Sequence, residues 1–225
     1  MYIAIEGVIG VGKTTLARLL QPVFQSGLLL EVFEENPFLT KFYADRQRYA
    51  FQTQIFFLLS RYHQQRRSVP EILGSDDSLI ADYTFEKDAL FASINLQGDE
   101  LEMYYRVHEA LAEKIPPPDV IIYLYADTDV LMQRIDQRDR SYERNMERGY
   151  IQQLVQAYDA FFTQSQGVIV PRKVPVLVID TNHLDYVRRP DDLKQVEYRI
   201  RQALKLPPFQ EELPLPDMES IHGLC

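Results

Sequence analysis

The sequence is poor in three features that define whole classes of protein: cysteine, long apolar runs and positive charge. Its one cysteine, Cys225, is the last of 225 residues, so disulfide frameworks and cysteine-based metal sites within the chain are excluded. No apolar run approaches the roughly 20 residues that span a bilayer. With 24 Lys and Arg against 33 Asp and Glu, the net charge is −9, whereas a nucleic-acid polymer needs a basic face. We therefore expect a cytosolic, reducing compartment and neither a membrane nor a nucleic-acid polymer as partner.

Length and composition are those of one globular domain. Hydrophobic residues make up 46% of the chain and charged residues 25%, which is enough apolar material for a full core. We predict a domain over residues 1–205, with a mobile segment at about 134–148. Residues 206–225 are rich in proline and are predicted to form an extended tail.

A glycine-rich stretch near the start carries the clearest chemical signal. Gly7-Val8-Ile9-Gly10-Val11-Gly12-Lys13-Thr14-Thr15 fits G-x-x-x-x-G-K-[ST], the phosphate loop, between an apolar strand and a helix predicted to extend to Pro22. Backbone N–H groups and the helix dipole would cradle the phosphates, Lys13 would reach the β- and γ-phosphates, and Thr14 would hold Mg²⁺. The residues assigned to the nucleotide are Gly7, Gly10, Val11, Gly12, Lys13, Thr14, Thr15 and, at the end of the last strand, Asp180. Because the motif begins at residue 7, we expect no signal or transit peptide and a cytoplasmic protein.

Acidic residues follow two further predicted strands. The strand over residues 28–33 contains Glu31 and leads into Glu34 and Glu35, and the strand over 78–82 ends on Asp82. In open parallel sheets, functional residues collect at the carboxyl ends of strands. One glutamate is therefore a candidate base, and Asp82 is a candidate Mg²⁺ ligand. A solvated loop and a simple capping aspartate are the alternatives.

A long helix is predicted from Phe42 to Arg67. Its apolar residues recur on one stripe, and Gln54 and Arg61 lie seven residues apart, so they share a face about 10 Å apart along the axis. This polar pair either lines a site or belongs to a surface strip. Further helices are predicted at 86–94, 100–114, 146–164 and 189–203, with strands at 119–124 and 175–180.

An arginine-rich segment lies late in the chain, from Arg134 to Arg144. Arg134 and Arg138 are one helical turn apart, so they repel unless an anion lies near them. A phosphate would satisfy them, as would Asp136 and Asp139 in a solvated, charge-laced helix.

A guanine-nucleotide switch is the main alternative among phosphate-loop proteins. Asn182-His183-Leu184-Asp185 approaches the guanine-reading N-K-x-D pattern, but His183 stands where lysine is required. Asp82 is followed by Tyr83-Thr84-Phe85, so the expected D-x-x-G is missing. A small-molecule kinase, by contrast, uses arginines as a lid that closes over the transferred phosphate. Five strands alternating with helices predict an α/β fold, a doubly wound five-stranded parallel sheet with helices on both faces and an arginine-rich lid.

Together these motifs resemble the deoxynucleoside kinase family, and most of all its bacterial deoxyadenosine and deoxyguanosine kinases. Glu-Asn-Pro-Phe at 35–38 and Asp-Tyr-Thr-Phe-Glu-Lys-Asp at 82–88 carry the likeness, together with the segments 51–61 and 134–143. The resemblance extends from residue 2 to about residue 185.

The resemblance implies a role for each matching residue on the acceptor side. Glu31 matches the carboxylate that accepts the proton of the sugar 5′-hydroxyl, with Glu34 the alternative base. Gln54 matches the glutamine that bonds the base edge, and Arg61 and Asp88 match the charged pair that closes that pocket. The residues matching the 3′-hydroxyl contacts are Tyr43 and Glu143.

On the donor side, the resemblance implies ATP and Mg²⁺ as cofactors and a homodimer formed through helices packed side by side. The residues matching the lid arginines are Arg134, Arg138 and Arg140, while Asp82 matches the acid near magnesium. The implied reaction is in-line transfer of the ATP γ-phosphoryl to a deoxynucleoside 5′-hydroxyl. A purine deoxynucleoside is the expected acceptor, and a deoxycytidine-preferring, thymidine-preferring or broad enzyme is the alternative.

One position departs from the family pattern. Many members have arginine after the residue matching Asp82, where this chain has Tyr83. Lys87 or a lid arginine could replace that cation.

Overall fold

The structure, a computed structural model, describes residues 1–33, 35–144, 146–163 and 174–207. Five parallel strands form one sheet in the order β2-β3-β1-β4-β5. The strands are β1 Tyr2–Gly7, β2 Gly27–Leu29, β3 Leu79–Ala81, β4 Val120–Tyr125 and β5 Val176–Asp180. The helices of the described residues are α1 Lys13–Phe24, α2 Leu39–Ala44, α3 Arg46–Asp76, α4 Glu86–Asn95, α5 Gly98–Ala112, α6 Thr128–Arg138, α7 Arg148–Thr163 and α8 Pro190–Ala203.

The central strand is buried along its whole length. All six residues of β1 are buried, as expected for a strand with neighbours on both sides and helices over its faces. Ala4 pairs with Ala81 of β3 and with Ile121 of β4. The predicted α/β fold with a five-stranded parallel sheet is confirmed.

The chain direction reverses around β1. The connection through α1 leads away to β2, whereas the later connections lead back past β1 to β4 and β5. Because such crossovers are right-handed, α1 lies on one face, and α3, α4 and α7, which pack against one another in sequence, lie on the other. Ligands bind in the crevice at such a reversal, beyond the carboxyl ends of the strands.

Several predicted boundaries were wrong. The first helix continues through Pro22 to Phe24, so the proline lies inside the helix rather than ending it. Strand β2 ends at Leu29, so Glu31 lies beyond the strand rather than inside it.

The predicted helix from Phe42 to Arg67 is two helices. Asp45 separates α2 from α3 and caps α3 by accepting a hydrogen bond from the N–H of Arg48 (3.2 Å). Helix α3 then continues past Arg67 to Asp76, with Pro70 inside it.

Two sequence-based boundaries concern residues outside the described ranges. Most of the predicted tail, residues 208–225, is not described, and neither are residues 164–173. Within the described ranges, no helix is both long and apolar enough to cross a bilayer.

Candidate active site

The phosphate loop connects β1 to α1 at the edge of the crevice. Gly10 and Gly12 have φ angles of 88° and 102°, a left-handed conformation that favours glycine. A side chain at Gly12 would also collide with the hydroxyl of Tyr186, which donates to the carbonyls of Val11 (3.4 Å) and Gly12 (3.3 Å). The glycines therefore allow the conformation of the loop, and the hydrogen bonds from Tyr186 hold it in place. Its N–H groups and the start of α1 are available to an anion.

Lys13, the first residue of α1, lies within this loop. Its ammonium donates to the carbonyls of Gly7 (2.6 Å) and Val8 (3.3 Å). Burial, and then the nearby ammonium of Lys87, lowers the pKa of Lys13 to about 8. The position suits the predicted contact with the β- and γ-phosphates.

Thr14 and Asp82 lie in direct contact, as a magnesium pair requires. The Thr14 hydroxyl donates to Asp82 Oδ2, and Asp82 Oδ1 accepts from the backbone N–H of Glu31 (2.7 Å). The Thr14 hydroxyl and the Asp82 carboxylate offer hard oxygen ligands of the kind that Mg²⁺ prefers. The ion takes most of its remaining ligands from water and phosphate oxygens. In the described part of the chain, His, Cys, Asp and Glu form no cluster of three or more that could hold a metal by themselves. The two residues therefore fit a magnesium site completed by nucleotide.

Glu31 is held by two buried cations. Its Oε2 accepts from Lys87 Nζ (2.6 Å), and its Oε1 accepts from Arg61 Nε (3.0 Å) and from Arg61 Nη2. Burial alone would raise the pKa of Glu31, but Lys87 and Arg61 outweigh it and hold that pKa well below its usual range. Glu31 is thus ionised and fixed in orientation. The alternative base, Glu34, lies outside the described residues.

Arg61 also contacts the carboxylate predicted to face the nucleobase. Its Nη1 donates to Asp88 Oδ1, and Asp88 is fully buried. Asp88 Oδ2 and Gln54 Oε1 are buried oxygens without a hydrogen-bond partner among the described residues. Gln54 and Arg61 line the cleft together, as their shared helix face predicted, whereas Asp88 is not among the residues that line it.

The residues predicted to hold the 3′-hydroxyl lie in the same cleft. Glu143 is buried and accepts from Arg138 Nη2 (2.5 Å) and Nε (3.2 Å), while Tyr43 stacks on Tyr142 with ring centroids 6.2 Å apart. The guanidinium of Arg140 lies 4.3 Å from the ring centre of Phe33. Arg138, Arg140, Tyr43 and Glu143 all line the cleft.

Two predicted site residues are placed differently from the prediction. Arg134 belongs to α6 and donates to the carbonyl of Val11 (3.3 Å) and to the hydroxyl (3.0 Å) and carbonyl (2.7 Å) of Thr181, so it ties the phosphate loop to the end of β5. Asp180 is exposed and accepts from the N–H of Asn182 (2.8 Å). Among the described residues that line the cleft, neither is present.

Sequence reasoning left out several residues that the fold brings to the cleft. Lys87 entered only as a possible substitute, because nothing in the sequence shows that a residue five positions after Asp82 turns back to Glu31. Phe57, Phe91 and Tyr142 also line the cleft. Phe57 and Phe91 lie in helices, where the sequence does not distinguish an aromatic residue of a cleft from one of the core, and Tyr142 lies in a turn.

These groups share one cleft of about 310 Å³, which contains both the phosphate loop and the Glu31–Arg61–Lys87 cluster. A phosphate cradle faces a buried, ionised carboxylate and a polar pocket large enough for a small molecule. Fold and cleft together define a phosphotransferase of the phosphate-loop class.

Comparisons with known proteins give the family. Residues 3–205 match the family model "Deoxynucleoside kinase". The chain is 34% identical to a deoxyguanosine kinase of Bacillus subtilis, covering 90% of this chain and 97% of the relative, and 32% identical to a deoxyadenosine kinase of Dictyostelium discoideum, covering 80% and 71%. Its fold matches a deoxyadenosine kinase from M. mycoides with a TM-score of 0.76 and 24% identity, covering 90% of this chain and all of that one. The chain belongs to the deoxynucleoside kinase family, whose members are ATP-dependent phosphotransferases, and the predicted resemblance is confirmed.

Proposed function

We propose that the enzyme transfers the γ-phosphoryl of ATP to the 5′-hydroxyl of a purine deoxynucleoside. The observation that carries this proposal is Gln54 Oε1, a buried oxygen of a cleft-lining residue that has no hydrogen-bond partner among the described residues. Asp88 Oδ2, which is held next to the cleft through Arg61, is a second buried oxygen of this kind. A buried polar atom left unpaired costs about 1–3 kcal/mol, so this pocket favours a ligand that brings hydrogen-bond donors.

Purine bases supply such donors. Adenine offers its N6 amino group, and guanine offers N1–H and its N2 amino group. Thymine has carbonyls at both positions flanking N3–H, so its O4 would face acceptor oxygens. Cytosine keeps an amino group and is the favoured alternative base. The deoxyguanosine and deoxyadenosine kinases among the relatives support the purine assignment.

The chain's own residues account for the remaining steps. Glu31 accepts the 5′-hydroxyl proton, Tyr43 and Glu143 hold the 3′-hydroxyl, and Arg138 and Arg140 close over the phosphates. Such transfer is mostly positioning and charge neutralisation, which this set of residues supplies. Thr14 and Asp82 would hold Mg²⁺, which neutralises phosphate charge when bound. A coupled assay of ADP release with each of the four deoxynucleosides tests the proposal.

We also propose a homodimer. Helices α3 and α5 pack against each other, and each exposes a large apolar side chain: Leu59 is 41% exposed and Met103 is 57% exposed. Light scattering after gel filtration would give the mass of a dimer, and Met103→Glu would shift it towards the monomer. A cytoplasmic location stays a prediction.

A further inference from the structure

Lys87 is a buried ammonium near the start of α4. Its side chain is 7% exposed, its Nζ lies 2.6 Å from Glu31 Oε2, and it lines the cleft. Burying an ammonium is costly unless it is paired, so a lysine here is retained at an expense that apolar residues would avoid. Glu31 repays only part of that cost, because it is shared with Arg61.

Hydrogen bonds in the turn before α4 place Lys87 next to Glu31. Tyr83, the residue after Asp82, is fully buried, and its hydroxyl donates to Gln64 Oε1 (2.6 Å). Buried Glu6 accepts from the N–H (2.6 Å) and hydroxyl (3.1 Å) of Thr84 and so anchors the turn before α4. The side chain at position 83 is directed into the core, and Lys87 joins Arg61 as a cation beside Glu31.

A second lysine, Lys13, lines the same cleft as Lys87. The ammonium of Lys87 is, after burial, the largest cause that lowers the pKa of Lys13 in the phosphate loop. Two ammonium groups that face one cleft repel each other, and an anion between them removes that repulsion. Lys13 is the residue proposed to contact the phosphates of the donor, and Lys87 contacts Glu31, the proposed general base. The region shared by the two is therefore where a phosphoryl group passes from donor to acceptor.

We propose that Lys87 is a catalytic residue that contacts the 5′-oxygen and the phosphoryl group in transit, a role that rests on the proposed function. The 5′-oxygen forms a bond to the γ-phosphorus, and the bond from that phosphorus to the β–γ bridging oxygen breaks, its electron pair leaving with ADP. The 5′-hydroxyl proton goes to Glu31. Lys87 keeps its protons throughout and donates hydrogen bonds to the oxygens that carry the charge.

Product binding tests this role without turnover. A deoxynucleoside 5′-monophosphate carries the phosphoryl group that Lys87 would contact, whereas the deoxynucleoside does not. Titration calorimetry would measure both dissociation constants for the parent, Lys87→Met, Lys87→Arg and the matched surface control Lys194→Met. Lys87→Met should weaken monophosphate binding at least tenfold and deoxynucleoside binding less than threefold. Equal weakening of both ligands would overturn the role.

Kinetics give the second readout. Lys87→Met should lower kcat about 10²–10³-fold with the KM for deoxynucleoside within about threefold, and Lys87→Arg should recover at least tenfold of that loss. Circular dichroism checks the fold of each variant. A Lys87→Met kcat within threefold of the parent, or an arginine variant as impaired as the methionine variant, would contradict a catalytic charge. A parent inactive on all four deoxynucleosides would refute the proposed function, while the monophosphate titration would still decide the role of Lys87.

Discussion

Arg61 joins Glu31 to Asp88 through a single guanidinium group. Nε (3.0 Å) and Nη2 donate to Glu31, and Nη1 donates to Asp88. The carboxylate assigned to the 5′-hydroxyl and the one assigned to the nucleobase are thus fixed by one side chain. Base recognition and the position of the reacting group are coupled, because displacing either carboxylate moves the arginine that holds the other.

Asp88→Asn should therefore weaken substrate recognition. The change keeps the size of the side chain but removes the charge that pairs with Arg61 and that, in the proposed function, accepts a hydrogen bond from the nucleobase. Because a hydrogen bond to a charged group contributes about 1.5–3 kcal/mol, the KM for purine deoxynucleosides should rise about 10- to 100-fold. The KM for ATP should stay within about threefold. Steady-state kinetics would measure both, with exposed Asp99→Asn as the control, and an unchanged deoxynucleoside KM would exclude Asp88 from the pocket.

Glu31→Gln should impair the chemical step. A general base contributes about two to four orders of magnitude in rate, so kcat should fall by that much with an unchanged circular dichroism spectrum. Exposed Glu35→Gln is the matched control and should keep the parent rate. If Glu34→Gln is the impaired variant while Glu31→Gln is active, Glu34 is the base.

Lys13 and Arg138 should both be needed for the chemical step. Lys13→Ala and Arg138→Ala should each lower kcat about 10²–10³-fold and leave deoxynucleoside binding nearly intact, because both groups act on transferring charge. Equal activity of Arg138→Ala and the parent would mean that the arginine segment is only a solvated helix.

Arg134→Ala should instead lower stability. It removes hydrogen bonds to Val11 and Thr181, which would cost about 1–3 kcal/mol and lower Tm by about 2–10 °C. Thermal denaturation monitored by circular dichroism measures this. An unchanged Tm with a large loss of kcat would return Arg134 to the lid.

The dependence of kcat/KM for ATP on pH should follow the protonation of Lys13. Its pKa is lowered to about 8, and only the protonated ammonium attracts phosphate, so kcat/KM for ATP should be high below about pH 8 and fall above it. The fall in kcat should lie at higher pH, because bound phosphates stabilise the ammonium. Rates measured from pH 6 to 10 test this, and a kcat/KM that stays level to pH 10 would contradict the lowered pKa.

The phosphate loop and the positions of the strands along the chain were predictable because their signals are local. Glycines at fixed spacing and a continuous apolar run such as 119–124 need no partner to be recognised. Gln54 and Arg61 were predicted to share a face for the same reason, since helix geometry relates residues seven apart.

Contacts between distant segments were not predictable from this one sequence. Arg134 bonds to Thr181, 47 positions away, and Lys87 reaches Glu31 across 56 positions. An arginine directed at phosphate and one directed at backbone carbonyls look the same in a sequence. The end of β2 was also hidden, because the apolar run continues past Leu29, where the strand ends.

The substrate assignment is tested most directly by kcat/KM for deoxyadenosine, deoxyguanosine, deoxycytidine and thymidine, measured with ATP and Mg²⁺ in one buffer. A site built to hydrogen-bond a group rejects analogues that lack it by up to roughly 10⁴–10⁵-fold. The purine deoxynucleosides should rank first, deoxycytidine should be the strongest side activity, and thymidine should rank last. Thymidine ranking first would contradict the purine assignment, together with the pocket roles of Asp88 and Arg61.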